Sequence, residues 1–295
     1  MRRRSSARLV AFRPARALAC RAGYFYLRCA VLAMPSDVLE RAVEEAKRTQ
    51  VLVFAGGLGK RMGFISKPKA LLEVAGKPLI DWCIEYFAGC GFREFVLLLG
   101  KGADEVARHV GDGGRYGVEV RFSVDPPLPA VGKGKALKHA LEEGVVDPRK
   151  RSIAAFPDDI FLEESLPLRL LLHHLEGVER GALATAVFAW GFEYPYGVAE
   201  LEGDGRVKGF VEKPVVNFYT STGLYVFEPP VYGLVRELVD MGSPKPVEFE
   251  RVVLPVLAER GQLYSMVVPR GTWLPVNTLK ELEMAEEALA RRARR

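Results

Sequence analysis

Two kinds of apolar pattern alternate along the chain from Val51 onward. Short runs of β-branched and aliphatic residues predict strands, and segments whose apolar residues recur at helical spacing predict helices. In the first half, strands are expected at 51–55, 94–99, 118–122 and 152–156, and helices at 78–90, 102–110 and 133–143. This alternation predicts a mostly parallel sheet with helices on both faces.

The second half of the chain is richer in predicted strands. Strands are expected at 182–188, 197–202, 206–212, 221–227 and 262–268, and helices at 166–176, 229–240, 247–260 and 277–292. Neither a repeat nor a low-complexity linker interrupts this region, so 51–295 is predicted to be a single α/β domain with a strand-rich second half. A separate helix is expected over 34–50, where Ser36 can act as the N-cap and Asp37 favours the positive end.

Residues 1–33 differ from the rest in charge. They hold eight arginines and no acidic residue, so the net charge of +5 for the whole chain falls to −3 when their +8 is set aside. A mildly acidic folded part argues against a nucleic-acid partner, because a basic patch for that purpose should belong to the fold. Residues 1–33 are expected to be a disordered extension, or to be absent from the true protein if Met34 is its start. An arginine-rich transit peptide is the alternative.

The cysteines and the N-terminal apolar residues bear on the compartment. The four cysteines form no CxxC pair, which favours free thiols and a cytoplasmic location. Arg21 and Arg28 interrupt the one candidate for a membrane span, which needs about 20 apolar residues, so no membrane partner is expected. Formation of a homo-oligomer is left open by the sequence.

The most informative segment is residues 54–82. A hydrophobic strand runs into the glycine-rich turn 56–59, and Arg61, Lys67 and Lys69 follow. Glycines allow a tight turn whose N–H groups can approach phosphate oxygens. The dinucleotide fingerprint fails at Met62, and the P-loop pattern fails at Pro78. An ordinary strand-to-helix connection is the alternative, and the three cationic residues make a phosphate-binding loop the better interpretation.

These motifs resemble a known family. Gly-Gly-x-Gly-x-Arg, then Pro-Lys-x-Leu and Gly-Lys-Pro-Leu, is similar to the signature of the sugar-1-phosphate nucleotidyltransferases, which include enzymes of the glucose-1-phosphate thymidylyl- or uridylyltransferase type and the mannose-1-phosphate guanylyltransferase type. The resemblance implies a three-layer α/β/α, Rossmann-like mixed sheet of the nucleotide-diphospho-sugar transferase type. It also implies that Gly56, Gly57 and Gly59 wrap the NTP phosphates and that Arg61 and Lys69 are catalytic, stabilising charge on the α-phosphate and the departing pyrophosphate.

A pair of acidic residues follows the strand predicted at 152–156. The carboxyl ends of strands are where open α/β sheets bind ligands, and a carboxylate there can hold Mg²⁺ against a triphosphate. The family resemblance assigns that role to Asp158, whereas Asp159 falls where the family varies. The alternatives are a structural turn aspartate or the paired acids of a glycosyltransferase that uses nucleotide-sugars.

The segment 197–214 carries the resemblance to the sugar branch. A turn at 203–205 predicts a hairpin, which ends in Glu212-Lys213-Pro214, with Tyr196-Gly197 before it and the run 221–227 after it. The resemblance implies that Gly197 and Glu212 contact the sugar and that Lys213 holds its phosphate. Nucleotidyltransferases of the molybdopterin type share the glycine loop but generally lack this block.

Two departures from the family pattern concern the base and the metal. In 130–141, Gly132 fits the nucleotide-binding pattern, but Lys133 replaces a threonine, and Pro126 and Pro127 stand near the position of the usual glutamine. Lys133 and Lys135 are equally compatible with solvated residues at a helix start. Near the C-terminus, Pro275 occupies the position of the family's second metal-binding aspartate, with Asp159 and Asn277 as possible substitutes.

The predicted activity is Mg²⁺-dependent transfer of a nucleoside monophosphate from an NTP to a sugar 1-phosphate. No general base is needed, and the four histidines, at 109, 139, 173 and 174, are expected to be packing or surface residues. The alternatives are nucleotidyl transfer to another phosphate, such as that of an inositol, a polyol or a cofactor precursor, and a non-catalytic nucleotide- or sugar-phosphate-binding paralogue.

Overall fold

A mixed seven-stranded sheet lies at the centre of the computed structural model, which describes residues 35–57 and 67–293. In chain order its strands are β1 (Gln50–Phe54), β4 (Glu94–Leu99), β5 (Glu119–Val124), β6 (Ser152–Ala155), β8 (Ala184–Glu193), β11 (Val215–Phe227) and β12 (Leu263–Pro269). Across the sheet they are arranged in the order β12-β8-β11-β6-β1-β4-β5. Strand β11 runs antiparallel to its two neighbours, and the remaining pairs are parallel.

Three pairs of short strands lie outside this sheet. They are β2 (Glu73–Val74) with β3 (Lys77–Pro78), β7 (Asp159–Phe161) with β13 (Trp273–Pro275), and β9 (Val198–Leu201) with β10 (Val207–Val211). The last pair is the predicted hairpin. The β7–β13 pair is the one that matters for the site, because it joins the segment after β6 to the C-terminal region.

Helices cover both faces of the sheet. They are α1 (Ser36–Arg48), α2 (Leu79–Gly89), α3 (Ala103–Val110), α4 (Gly132–Glu142), α5 (Leu166–Val178), α6 (Pro230–Leu238), α7 (Phe249–Val252), α8 (Leu254–Glu259) and α9 (Leu279–Ala293). None of these helices, in the part of the chain that the structure describes, has both the length and the apolar character required to cross a membrane.

The alternation of side chains along β1 divides the core into two layers. Val51 and Val53 pack with α1, α2, α3 and α5, whereas Leu52 and Phe54 pack with α4, α6, α7 and α8. Successive residues of a strand point to opposite faces, so a strand covered on both sides reads as a continuous apolar run. This arrangement confirms the predicted three-layer α/β/α sheet.

The element boundaries differ from the predictions in three places. Pro35 rather than Ser36 occupies the cap position of α1, and no side chain caps that helix. The helix expected over 247–260 is split into α7 and α8 near Val253, and Pro255 lies in the first turn of α8, where it cannot continue the hydrogen bonds of a preceding helix. Strand β11 begins at Val215 rather than 221, because it pairs with β8 over residues that precede its pairing with β6.

Two further predictions concern the cysteines and the N-terminal residues. Cys83 and Cys90 are free and buried, as expected. The prediction of a basic extension over 1–33 lies outside the described residues.

Candidate active site

A cavity of about 290 Å³ opens at the carboxyl ends of the central strands. Its wall takes residues from the segments after β1, β5 and β6 and from the start of α4. The polar and glycine residues of this wall are Gly56, Gly57, Lys69, Asp125, Gly132, Lys133, Asp158 and Glu248. The sheet therefore brings together all the residues predicted for the nucleotide, the catalysis and the metal that the structure describes, as expected for an open α/β sheet.

The end of β1 packs tightly against the end of β4. A Cβ atom at Gly56 would lie 3.3 Å from the backbone nitrogen of Gly100, and one at Gly100 would lie 2.8 Å from the carbonyl oxygen of Gly56. No side chain fits between these two segments, which is a structural reason for glycine at position 56. A Cβ atom at Gly57 would meet nothing within 4 Å. The close contact between the two segments therefore ends at Gly56. Gly59 and Arg61 lie outside the described residues.

Lys69 lies at the centre of a polar cluster. It begins a short 3-10 turn (Lys69–Leu71) directly after Pro68. Its ammonium group donates a hydrogen bond to Oδ2 of Asp158 and another, at 2.9 Å, to Oδ1 of Asn277. Three chain segments that are distant in sequence thus meet at one cation.

The β7–β13 pair explains how Asp158 and Asn277 come together. The backbone N–H of Val276 donates to the carbonyl oxygen of Asp158 at 2.7 Å, and Pro275 is the strand partner of Asp159. Pro275 offers no carboxylate, and Asn277 is the nearby residue whose side-chain oxygen reaches the cluster around Lys69.

Asp159 occupies a different environment from Asp158. Its Oδ1 accepts a hydrogen bond from Nε1 of Trp273 at 2.7 Å, and a Cβ atom at Gly223 would lie 2.7 Å from its Oδ2. Burial, together with the charge of Asp158, raises the pKa of Asp159 well above its ordinary value. Gly223 has φ +83°, so both its backbone conformation and this close approach require glycine.

Lys135 is not a solvated lysine. Its side chain is 1% exposed, and its ammonium group donates to the carbonyl oxygens of Ala130 at 2.8 Å and Ser243 at 2.7 Å. The solvated alternative considered from the sequence is therefore wrong for this residue. The hydrogen bonds of Lys135 therefore connect the start of α4 to the loop before α7.

Lys133 faces the cavity and pairs with two acids that the sequence analysis missed. Its Nζ lies 2.9 Å from Glu250 and 3.3 Å from Glu248, and 5.3 Å from the centre of the Phe156 ring. Burial disfavours the charge of Lys133, but the two carboxylates outweigh it, so the pKa of Lys133 is raised. Both acids come from the start of α7, more than a hundred residues away in the chain, so no local pattern could have indicated the contact.

Gly132 is required by its backbone. It has φ +74°, and a Cβ atom there would lie 2.7 Å from the carbonyl oxygen of Val247. The segment also exchanges hydrogen bonds with Val247, whose N–H donates to Val131 and whose carbonyl accepts from Gly134. Gly132 therefore allows α4 to begin directly at the cavity wall.

Asp125 is a third residue that the sequence analysis missed. It follows β5, and its Oδ2 is the side-chain atom nearest to the backbone contact between Gly56 and Gly100. Burial raises the pKa of Asp125 to about 6. It directly precedes Pro126 and Pro127, which stand near the position where the family pattern usually has a glutamine.

The residues predicted for the sugar phosphate lie at the two ends of the β9–β10 hairpin, directly before β9 and directly after β10. A Cβ atom at Gly197 would lie 2.8 Å from Oε2 of Glu212 and 2.3 Å from the Phe210 ring. The structure thus places Gly197 against Glu212, with Lys213 next to it in a left-handed conformation at φ +48°. All three are exposed, and in the described part of the chain they are not part of the cavity wall.

Comparisons with known proteins agree with the fold and the motifs. The profile of the nucleotidyl transferase family matches residues 50–292. The catalytic subunit beta of mannose-1-phosphate guanylyltransferase from Drosophila pseudoobscura pseudoobscura is 28% identical over 241 residues, which cover 79% of the present chain and 60% of that protein. Glucose-1-phosphate thymidylyltransferase from Streptomyces antibioticus is 27% identical over 244 residues, which cover 79% of the present chain and 64% of that protein.

A solved structure shows the same fold. It is a crystal structure from Bacillus anthracis, described as a glucose-1-phosphate thymidylyltransferase in complex with sucrose, and it superposes with a TM-score of 0.64 at 24% identity. The match covers 82% of the present chain and 95% of that chain. The present chain spans about 60% of the length of the curated relatives above. Together with the profile match, these similarities confirm the resemblance indicated by the motifs: this chain belongs to the nucleotidyl transferase family.

Proposed function

We propose that this chain transfers a nucleoside monophosphate from an NTP to a sugar 1-phosphate, giving a nucleotide-sugar and pyrophosphate. The observation that carries the proposal is the contact between Lys69 and Asp158 in a cavity whose wall also contains Gly56 and Gly57. A cation and a carboxylate beside a glycine-rich strand end suit phosphoryl chemistry, where catalysis is mainly positioning and charge stabilisation. Relatives named for mannose 1-phosphate and glucose 1-phosphate support this reaction class.

Each predicted residue has a role in this reaction. Lys69 and Arg61 stabilise charge on the α-phosphate and on the departing pyrophosphate. The exposed hairpin residues bind the acceptor, with Glu212, packed beside Gly197, accepting hydrogen bonds from sugar hydroxyls and Lys213 holding the sugar phosphate. The nucleotide is bound by backbone at the glycines Gly56, Gly57, Gly59 and Gly132.

The cluster around Lys69 fits a magnesium ion. Oxygens of Asp158 and Asn277 converge on one cationic atom, the Lys69 nitrogen. Within 35–57 and 67–293, no group of three or more His, Cys, Asp or Glu side chains is arranged to hold a metal. Asp158 is the carboxylate proposed to hold the ion. One or two carboxylates with substrate phosphates and waters are a common ligand set for Mg²⁺. When bound, the ion would neutralise part of the triphosphate charge.

The nucleophile of the proposed reaction is a phosphate oxygen of the acceptor. The second pKa of a phosphate monoester is about 6, so the attacking oxygen is largely ionised at pH 7. That oxygen forms a bond to the α-phosphorus of the NTP, the bond from this phosphorus to the bridging oxygen breaks, and pyrophosphate leaves. The proposed reaction therefore needs no general base from the protein.

Release of pyrophosphate from the full chain tests the proposal. The assay uses Mg²⁺, each NTP including dTTP, and a panel of sugar, inositol and polyol phosphates. We expect release with at least one NTP and a sugar 1-phosphate, and a large loss of rate in Asp158→Asn. The matched control is Asp104→Asn, which changes an exposed carboxylate in the first turn of α3, outside the cavity.

The same assay separates the alternatives. Release only with an inositol or polyol phosphate would replace the sugar acceptor by another phosphate. NTP binding with no release for any acceptor would favour a non-catalytic paralogue, an alternative motivated by Pro275, which brings no carboxylate to the strand beside Asp159. Consumption of a nucleotide-sugar without pyrophosphate would indicate a glycosyltransferase.

A further inference from the structure

A two-stranded arm continues β8 and β11 past the strands that flank them. Strand β12 pairs with β8 only as far as Trp190, and β6 pairs with β11 only from Tyr225 onward. Between these limits β8 and β11 pair with each other, and the chain that joins them forms the β9–β10 hairpin. We call residues 190–220 the arm. Among the residues that the structure describes, no third strand pairs with β9 or β10.

The arm concentrates the exposed apolar side chains of the molecule. Fifteen large apolar side chains are exposed in the described part of the chain, and eleven of them lie in the arm. Five of these eleven are valine or leucine, and the other six are aromatic, with exposed fractions from 41% to 68%. The six aromatic residues are Trp190, Tyr194, Tyr196, Phe210, Phe218 and Tyr219.

The area that these residues expose is the area of a protein interface. The exposed fractions of the six aromatic residues amount to about three and a half whole side chains, or about 700 Å² at about 200 Å² each. The largest apolar patch on a typical monomer is about 300–600 Å². A specific interface of standard size buries about 800 Å² on each partner. The arm, with its aliphatic residues added, therefore has the area of one side of such an interface.

The β9–β10 hairpin exposes apolar residues on both of its faces. Val198 pairs with Val211, and Ala199, the next residue, pairs with Phe210. Since adjacent residues of a strand point to opposite faces, Phe210 and Val211 lie on opposite faces, and both are exposed. A hairpin of two strands is at best marginally stable in water unless another element packs against it. The described part of the chain leaves both faces open, so the hairpin is suited to packing against another molecule.

The charges of the arm restrict the kind of molecule that can cover it. The arm holds five acidic and three basic residues, whereas anionic membranes and single-stranded nucleic acids bind surfaces with an excess of positive charge. Lys208 pairs with Glu200 at 2.7 Å, and Arg206 pairs with Asp204 at 2.7 Å. The arm thus neutralises most of its charge internally. A surface of this kind suits a partner that is similarly apolar and of mixed charge.

We propose that the arm is the interface between two copies of this chain. A dimer with two-fold symmetry buries the same patch on both subunits, so the partner surface has the required apolar area and mixed charge. The open edges of β9 and β10 add backbone N–H and C=O groups that can pair with another strand. This inference goes beyond the proposed function and does not depend on the transfer reaction.

The mass of the full chain in solution tests the inference. The measurement is size-exclusion chromatography with light scattering at about 1 to 100 µM chain, which spans weak to moderate affinities. We expect a particle of twice the chain mass of 32.7 kDa.

Two variants place a charge in the proposed interface. They are Leu201→Lys and Phe218→Lys, each at a side chain that the single chain leaves exposed. We expect each variant to weaken association by at least about 30-fold, the effect of losing one strong interface contact. Met284→Lys is the matched control, because Met284 is an exposed apolar residue on α9, outside the arm. It should remain a dimer. Circular dichroism shows whether each variant is folded.

Hydrogen exchange locates the buried surface independently of the mass. Backbone amides in 198–211 should exchange more slowly in the unmodified dimer than in Phe218→Lys, whereas those of α9 should exchange alike in both.

Each outcome of these measurements decides the inference. Loss of the dimer in the two arm variants, with its retention in Met284→Lys, would support it. A tetramer that the arm variants split into dimers would support it as well. A monomer at every concentration would overturn it, and slow exchange of 198–211 in that monomer would assign the cover to another segment of the same chain. A dimer that survives both arm variants would place the interface elsewhere and overturn the inference.

Discussion

Lys69 donates a hydrogen bond from Nζ to Oδ1 of Asn277 at 2.9 Å, across 208 residues of sequence. The same ammonium contacts Asp158. Asn277 therefore supplies an oxygen to the cluster in which the family's second aspartate, replaced here by Pro275, would be expected. The oxygen it supplies is neutral, so the cluster carries one negative charge fewer than a pair of aspartates would give.

Asn277→Asp should strengthen metal binding. A second carboxylate beside Asp158 adds favourable charge interactions with a divalent cation, and we expect affinity for Mn²⁺ to rise about 10-fold, equivalent to about 1.4 kcal/mol. The measurement is titration of Mn²⁺, followed by electron paramagnetic resonance, in the presence of an NTP. Asn277→Ala is the matched control and should not gain affinity. Unchanged Mn²⁺ affinity in Asn277→Asp would show that this oxygen does not face the metal.

Lys135→Ala should destabilise the fold. The change leaves the carbonyl oxygens of Ala130 and Ser243 without their donor and removes a fully buried side chain. We expect a loss of about 2–4 kcal/mol in the free energy of unfolding, measured by urea denaturation. Lys101→Ala, at an exposed position, serves as the control and should change stability by less than about 0.5 kcal/mol. Equal stabilities of the two variants would contradict the structural role of Lys135.

His174 should make stability depend on pH. It is fully buried between Oγ1 of Thr185 at 2.8 Å and Oε1 of Glu228 at 3.0 Å, and burial lowers its pKa. The unfolded chain, with a histidine pKa of about 6.5, therefore binds a proton that the folded chain does not. The stabilisation is present above about pH 6.5 and is lost as the pH falls toward the lowered value, with a slope of at most about 1.4 kcal/mol per pH unit.

The comparison of the unmodified chain with His174→Gln isolates this effect. Denaturation at several pH values between 5 and 7.5 should give a smaller loss of stability on acidification in the variant. Parallel curves for the two proteins would show that His174 titrates alike in the folded and unfolded states.

Much of the fold follows from local sequence patterns. The apolar runs of β1 and β4 are buried on both faces, and such runs identify central strands without knowledge of their neighbours. Asp158 was also predictable, because its position after a buried strand places it at the ligand-binding edge of the sheet.

Other parts of the site were not predictable because they depend on long-range contacts. Lys135 looks like an ordinary helix-surface lysine until Ser243, 108 residues away, is placed beside it. Asn277 reaches Lys69 only through the pairing of β7 with β13. Asp125 owes its position to two glycines on other strands, and a single aspartate before two prolines resembles a turn residue.

The most direct test of the account is the rate of pyrophosphate release by Lys69→Ala, measured with the NTP and acceptor that the unmodified chain uses. In the proposed function Lys69 stabilises charge on the α-phosphate, so its removal should lower the rate by about 10²- to 10³-fold. Lys47→Ala, which changes an exposed lysine on α1, should retain the full rate. A Lys69→Ala protein that is folded and releases pyrophosphate at the unmodified rate would contradict the proposed function.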